Sequence, residues 1–278
     1  MRTIGVTARA AFRRCKLAWK WQYVDRLELI DKSNLASTVG IAVHEALAKY
    51  MTDKLGAPND DIYTPEYFDA LAEEMGKKYD SLLTMDKLIE AKTLITNYGM
   101  YRQDRRWVVR AVEKQLQAAI PKTRVRLTGR IDGLVIYDGQ WWIVDHKTVR
   151  SYATPFKLDT DDQVTAYVWL ARQAKINVQG VIYNEIGKRK YPPLVNVSYV
   201  TRTSRQLEYF EECLIEEARD MTSKNTRVYP SFGEHCGWCQ MRSLCLCRAD
   251  KGNVDLLKEH YYQVKEKNDG FATPVEED

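Results

Sequence analysis

Apolar residues recur at three- and four-residue spacing through the first hundred positions, a period that predicts amphipathic helices over residues 7–23, 37–55, 65–83 and 86–101. Pro58-Asn59-Asp60 breaks the second from the third. The period then changes to two: a strand over 107–119 precedes hairpin arms that run from Arg124 and end at Val149, all dense in Val, Ile, Trp and Tyr. Helical spacing returns over 159–174, with acidic residues at the start where the helix dipole favours them. Strands over 178–187 and 194–200, a helix over 204–221, a cysteine-rich loop and a short closing helix over 255–266 complete the pattern. There is no internal repeat and no low-complexity tract. This order implies an α/β fold with one mixed central sheet flanked by helices. Its expected parts are a helical N-terminal part (1–105), a core (106–202) and a helix with a cysteine segment (203–250), in one domain over 1–265; 266–278 is expected to be a disordered tail.

Asp138-Gly139 lies between Leu134-Val135-Ile136-Tyr137 and Gln140-Trp141-Trp142-Ile143-Val144, a strong hairpin signal because both central residues of a type I′ turn need positive φ. With a two-residue turn, Tyr137 faces Gln140, Asp132 faces Asp145 and Arg130 faces Lys147. Alternation then places Asp132, Asp145, Arg130 and Lys147 on one face of the ribbon and His146 on the other. Opposed carboxylates have Cβ atoms about 4.5 to 5.5 Å apart and destabilise a sheet unless something positive lies between them. Mg²⁺ or Mn²⁺ on Asp132 and Asp145 meets that need and acidifies a water, while Lys147 positions the water or stabilises charge on a phosphorane-like transition state. The plainer alternative is two surface carboxylates on a polar strand face.

Other residues extend this candidate site. Glu113 completes the metal shell if its strand neighbours Asp132, and otherwise faces solvent. His44 follows an apolar run, with Gly40 one helical turn earlier allowing close approach of a backbone or ligand; it is either a structural histidine or a ligand that favours Mn²⁺. Gln163 and Tyr167 share one helix face as an i, i+4 pair, and Arg130 touches a phosphate or solvates the ribbon edge.

At 278 residues and 45% hydrophobic content the chain supports a proper core. No apolar run approaches the roughly 18 residues of a membrane span, and the N-terminus lacks the apolar core of a signal peptide, so the expected location is the cytoplasm. A net charge of +4 is too mild to imply nucleic-acid binding by itself. The basic residues are nevertheless clustered: Arg9, Arg13, Arg14, Lys16, Lys20 and Arg26 in the first helix, and Arg102, Arg105, Arg106 and Arg110 before the first strand. They are either phosphate-facing patches or solvated helix faces. Trp19, Trp21 and Tyr23 either stack on bases or pack behind Cys15.

Cys236-Gly237-Trp238-Cys239 and Cys245 form a C-x2-C-x5-C run, and Cys15 supplies a fourth thiolate; Cys213 and Cys247 are left over. In a cytosolic chain this points to structural Zn²⁺ or an iron–sulfur cluster, between which spacing does not choose, with thiols that hold no metal as the remaining alternative. Either metal group would clip the two ends of the chain together.

Gly40-x3-His44, Glu113, Gly129-Arg130-Ile131-Asp132, Asp145-His146-Lys147-Thr148 and Gln163-x3-Tyr167, in this order, resemble the motifs of RecB-type nucleases of the PD-(D/E)XK superfamily, whose core is restriction-endonuclease-like. Adding Cys15, Cys236, Cys239 and Cys245 extends the resemblance to its iron–sulfur branch, which includes AddB and the CRISPR-associated RecB-like exonucleases. The resemblance implies His44, Asp132 and Asp145 as metal ligands, Lys147 as the catalytic lysine, and Gln163 and Tyr167 as DNA-contacting or site-supporting residues. It also implies a [4Fe-4S] cluster on Cys15, Cys236, Cys239 and Cys245, with Cys247 the competing thiol. One departure is His146, where the family often has an aromatic residue.

The expected activity is a metal-dependent DNA exonuclease working from the ends of single strands; 5′ to 3′ polarity comes from the resemblance. No phosphate-loop motif is present, so unwinding would fall to a helicase, recombination or CRISPR partner, and a homo-oligomer is open. A bacterial, archaeal or phage role is equally open. The alternatives are a DNA end-binding subunit with weak catalysis, a zinc-bearing DNA-binding adaptor, and an endonuclease of the same superfamily.

Overall fold

The computed structural model describes residues 2–32, 36–56, 60–188, 191–192 and 194–265; Pro58-Asn59 and the expected tail over 266–278 lie outside them. In chain order come β1 (Arg2–Gly5), α1 (Val6–Arg14), α2 (Lys16–Trp19) leading into a π-helical turn (Lys20–Val24), β2 (Leu27–Leu29), α3 (Ala36–Asp53), α4 (Pro65–Tyr79) and α5 (Met85–Tyr101). Next are β3 (Val108–Ala119), β4 (Val125–Tyr137), β5 (Gln140–Val149), α6 (Pro155–Asp159), α7 (Asp162–Gln173), β6 (Val178–Gly187) and β7 (Val195–Thr201). The chain continues through α8 (Ser204–Thr222), a 3-10 turn (Glu234–Trp238), α9 (Arg242–Ala249), α10 (Val254–Tyr261) and β8 (Tyr262–Val264).

The main sheet has the order β1-β4-β5-β6-β7, with β3 beside β4. The pairs β1/β4 and β5/β6 are parallel, while β4/β5 and β6/β7 are antiparallel, so the sheet is mixed as the element order implied. Asp138 (φ 47°) and Gly139 (φ 74°) supply the two positive φ angles of the turn. The β4/β5 register runs from Tyr137↔Gln140 to Gly133↔Val144, as a two-residue turn requires.

The chain divides into two compact units, one of Met1–Asp31, Gln117–Gly129 and Ser204–Asp278, the other of Lys32–Leu116 and Arg130–Thr203. In the second unit, apolar faces of α3, α4 and α5 bury Val39, Leu47, Tyr50, Phe68, Ile95 and Tyr98 in one core with Val135, Val144 and Ile182 of the sheet. In the first, Cys15, Leu17, Ala18 and Trp21 pack with Leu27, Met241, Leu244 and Tyr262.

Several expectations are corrected. The helix expected over 7–23 is interrupted at Cys15, whose backbone is extended (φ −160°, ψ 110°), because α1 closes there and α2 opens there. The helix expected over 255–266 stops at Tyr261, and Tyr262–Val264 instead pairs antiparallel with Leu27–Leu29; that pairing buries Tyr262 and leaves Gln263 and Val264 exposed. Neither of these strands, nor β1, was expected. Arg9 and Arg102 are withdrawn from the basic patches by burial: Arg9 pairs with Glu217 and lies 4.6 Å from the Phe210 ring centroid, and Arg102 pairs with Asp60 and with Asp104. Trp19 and Trp21 are buried, which favours packing over base stacking. Among the described residues, no helix is long and apolar enough to cross a membrane.

Candidate active site

Asp132, Asp145 and Lys147 come together where the β4/β5 ladder ends. Beyond Gly133↔Val144, where Asp132 is the next residue on one arm and His146 the second on the other, the His146 backbone N–H donates to Asp132 Oδ2 at 2.7 Å, so a carboxylate caps the ladder. Helix α3 passes over this end of β5: a Cβ on Gly40 would stand 3.4 Å from Thr148 Oγ1. One turn on, His44 Nδ1 lies 3.4 Å from Asp132 Oδ2.

Asp145 is 2% exposed. Lys147 Nζ donates to its Oδ1 at 3.0 Å and lies 2.9 Å from Oδ2, but without hydrogen-bonding alignment, so the buried Oδ2 has no hydrogen-bond partner among the described residues. Burial, reinforced by the Asp132 charge and opposed by Lys147, pushes Asp145 up to about 6. Burial acts upward on Asp132 as well, but the His44 contact and the His146 amide hold it below the usual carboxylate range. Burial would lower Lys147, yet its pairing with Asp145 holds it above the usual lysine value, so the ammonium stays charged.

Lys147 Nζ also donates to Gln163 Oε1 at 2.7 Å, Gln163 Nε2 donates to the Tyr167 hydroxyl at 2.8 Å, and that hydroxyl donates to the Arg130 carbonyl at 2.9 Å. Helix α7 thus reaches across to both hairpin arms. Its placement follows from local chemistry: Asp161 caps it, accepting from Val164 N–H at 3.0 Å. Tyr167 is buried. Glu113 sits at φ 48° inside β3, a left-handed conformation rare for a residue with a side chain and frequent at bulges and functional sites. Its Oε2 meets Arg130 Nε at 2.8 Å, and burial with the nearby Asp132 charge raises its carboxyl despite Arg130.

Among the described residues, no group of three or more His, Cys, Asp or Glu side chains already stands in a metal-ligating arrangement. The donor set nevertheless suits a divalent cation: the Asp132 carboxylate stands beside the His44 imidazole, and Asp145 Oδ2 is a buried carboxylate oxygen that lies near Lys147 but accepts no hydrogen bond among the described residues.

In the other unit, Cys15, Cys236, Cys239 and Cys245 line one cavity with Leu17, Ala18, Trp21 and Phe232. Burial raises the Cys239 and Cys245 thiols, and charge on Cys15 and Cys236 adds to it. Four neighbouring thiols with an apolar lining suit a sulfur-ligated group. Cys247 is not among the lining residues; its Sγ lies over Gly252, 2.8 Å from where a Cβ there would stand. Cys213 is on α8, away from this cavity's lining.

Asn184 was missed. It lies buried in β6 with its Nδ2 2.9 Å from His146 Nδ1, and the signal available was the polar pair Asn184-Glu185 directly after the apolar residues Val181, Ile182 and Tyr183.

A family model of the PD-(D/E)XK nuclease superfamily matches residues 3–246. The chain belongs to that superfamily. The match runs through both compact units and makes the protein a nuclease. No curated protein matches this nuclease in sequence. Among solved structures it is similar to a candidate exonuclease from Eubacterium rectale, with 15% identity, 86% of this chain and 87% of that one covered, and a TM-score of 0.52. That likeness bears on the fold. SSO0001 is similar at 12% identity over 88% of this chain and 85% of that one, with a TM-score of 0.45.

Proposed function

We propose that this nuclease is a metal-dependent deoxyribonuclease that shortens DNA from its ends, acting on single strands in the 5′ to 3′ direction. The observation that carries the reading is the buried, incompletely partnered Asp145 beside Asp132, His44 and a charged Lys147. His44, Asp132 and Asp145 are the residues that would hold Mn²⁺ or Mg²⁺, and imidazole ligation favours Mn²⁺. Bound there, such a cation supplies an acidified water and neutralises phosphate charge.

Lys147, oriented by Asp145 and Gln163, places its ammonium where negative charge grows as water adds to phosphorus and the P–O bond breaks. Because it remains protonated, it serves as an electrostatic and positioning group and not as the base. Gln163 and Tyr167 act through Lys147. Arg130, more than half exposed, is the phosphate contact, and it must exchange Glu113 for DNA to do so. Glu113 is the further acidic group of the site.

Cys15, Cys236, Cys239 and Cys245 are proposed to carry a [4Fe-4S] cluster, placing the protein in the iron–sulfur branch of its superfamily, and residues 1–265 are taken as one nuclease domain. End-labelled single-stranded DNA and closed circles, incubated with Mn²⁺, Mg²⁺ or a chelator beside Asp145→Ala, test the function. Shortening of linear DNA only with metal, and only by the parent protein, supports it. Cutting of circles would instead make the enzyme an endonuclease, and binding without cutting would make it an end-binding subunit.

A further inference from the structure

We infer that Asn184 is a positioning residue that sets Asp132 through His146. This rests on the reading of Asp132 as a metal ligand. Asn184 Nδ2 donates to His146 Nδ1 at 2.9 Å, which makes Nδ1 the acceptor and leaves the ring proton on Nε2, 3.3 Å from Met51 Sδ. The ring is thereby held at both nitrogens. A ring so fixed restricts rotation of its own backbone, and the His146 N–H is the group that donates to Asp132 Oδ2.

The other end of the chain is anchored as firmly. Asn184 Nδ2 also donates to the Tyr98 hydroxyl at 3.3 Å, that hydroxyl donates to Asp104 Oδ2 at 2.7 Å, and Arg102 donates to Asp104 Oδ1 at 2.7 Å. The Asn184 amide thus donates both ways, toward Tyr98 and the Arg102–Asp104 ion pair on one side and on the other toward His146, whose own N–H donates to Asp132. Asn184, Tyr98, Asp104 and His146 are all buried. Asn184 Oδ1 has no hydrogen-bond partner among the described residues, and burying such an orphan is unfavourable. An apolar residue would avoid that cost at this position of β6, so what the asparagine contributes is its pair of donors.

The test uses Asn184→Leu, which keeps the volume and deletes the donors, and Tyr98→Phe, which removes one hydroxyl and leaves the Asn184 to His146 bond. Two quantities are read on the full-length, metal-free protein: hydrogen exchange of the His146 amide by NMR, and Mn²⁺ affinity by calorimetry. Asn184→Leu is expected to speed exchange at His146 about tenfold relative to Val144 and to weaken Mn²⁺ binding about tenfold, as loss of a partner behind a metal ligand does. Tyr98→Phe should move both in the same direction by about threefold, a smaller step along the same series. Unchanged exchange and affinity in folded Asn184→Leu overturn the inference. If that variant does not fold, Tyr98→Phe decides on the same two readouts. Absence of Mn²⁺ binding by the parent protein would remove Asp132 as a ligand, while the exchange measurement would still decide the positioning.

Discussion

Substituting His146 should change how stability depends on pH, by an amount that follows from its environment. Burial pushes the imidazole down to about 4, only partly opposed by the Asp132 charge. An unfolded chain takes up this proton below about 6.5, whereas the folded protein refuses it until about 4. The stability tied to neutral His146 is therefore complete above pH 6.5 and is lost as pH falls toward 4. At about 1.4 kcal/mol per pH unit, the loss reaches about 2.5 kcal/mol by pH 4.5. Asp145 works in the opposite sense, because a raised carboxyl binds its proton more readily in the folded state and gains stability as the pH falls. The parent protein alone therefore does not isolate His146; the difference between parent and His146→Phe does. Urea unfolding followed by tryptophan fluorescence, in chelator between pH 7.5 and 4.5, should show that difference shrinking by about 2.5 kcal/mol. Parallel pH profiles, within about 0.5 kcal/mol, would refute the argument that the ring is buried neutral.

Three further outcomes are expected. Lys147→Met should slow single-turnover cleavage by about 10²- to 10³-fold while Mn²⁺ affinity holds, because the ammonium is assigned to transition-state charge; weakened metal binding with intact cleavage would contradict it. Tyr167→Phe removes a hydroxyl bonded to Gln163 and Arg130, so kcat should fall about tenfold, equivalent to one or two hydrogen bonds, with KM for DNA unchanged. A rise in KM alone would mean that Tyr167 touches DNA and does not support Lys147. Anaerobically purified Cys245→Ala should lose its iron and melt earlier, whereas Cys247→Ala should keep both, since Cys247 is not among the residues lining the cysteine cavity. Zinc without iron in the parent protein would sink the cluster assignment.

The hairpin was legible because its evidence is local. Asp138-Gly139 demands two positive φ angles, and once they are granted the side-chain alternation follows by geometry for both arms. Helices α3, α4 and α5 were legible for a similar reason, since each buries one apolar stripe. The short strands β1, β2 and β8 were not, because three or four residues carry too little period to register and their pairing is with distant segments. The break at Cys15 was hidden as well: the apolar spacing continues across it, and only the backbone shows that one residue leaves the helix.

The same division runs through the site. Alternation assigns Asp132, Asp145 and Lys147 to one face, and assigns His146 to the other without saying that its backbone amide turns back toward Asp132. That amide is available to the carboxylate at the point where the ladder stops, so the place where pairing fails is also the place where the ligands gather. Glu113 was visible as a residue but not as a strained one, since positive φ inside a strand leaves no mark in composition. Asn184 left a mark, a polar residue directly after the apolar Val181, Ile182 and Tyr183, whose meaning depends on Tyr98, Asp104 and His146 meeting it from other elements. What a period in the chain can carry is which side a residue faces; what fixes its chemistry here is a series of directed hydrogen bonds, assembled only when α3, α5, β5 and β6 close on one another.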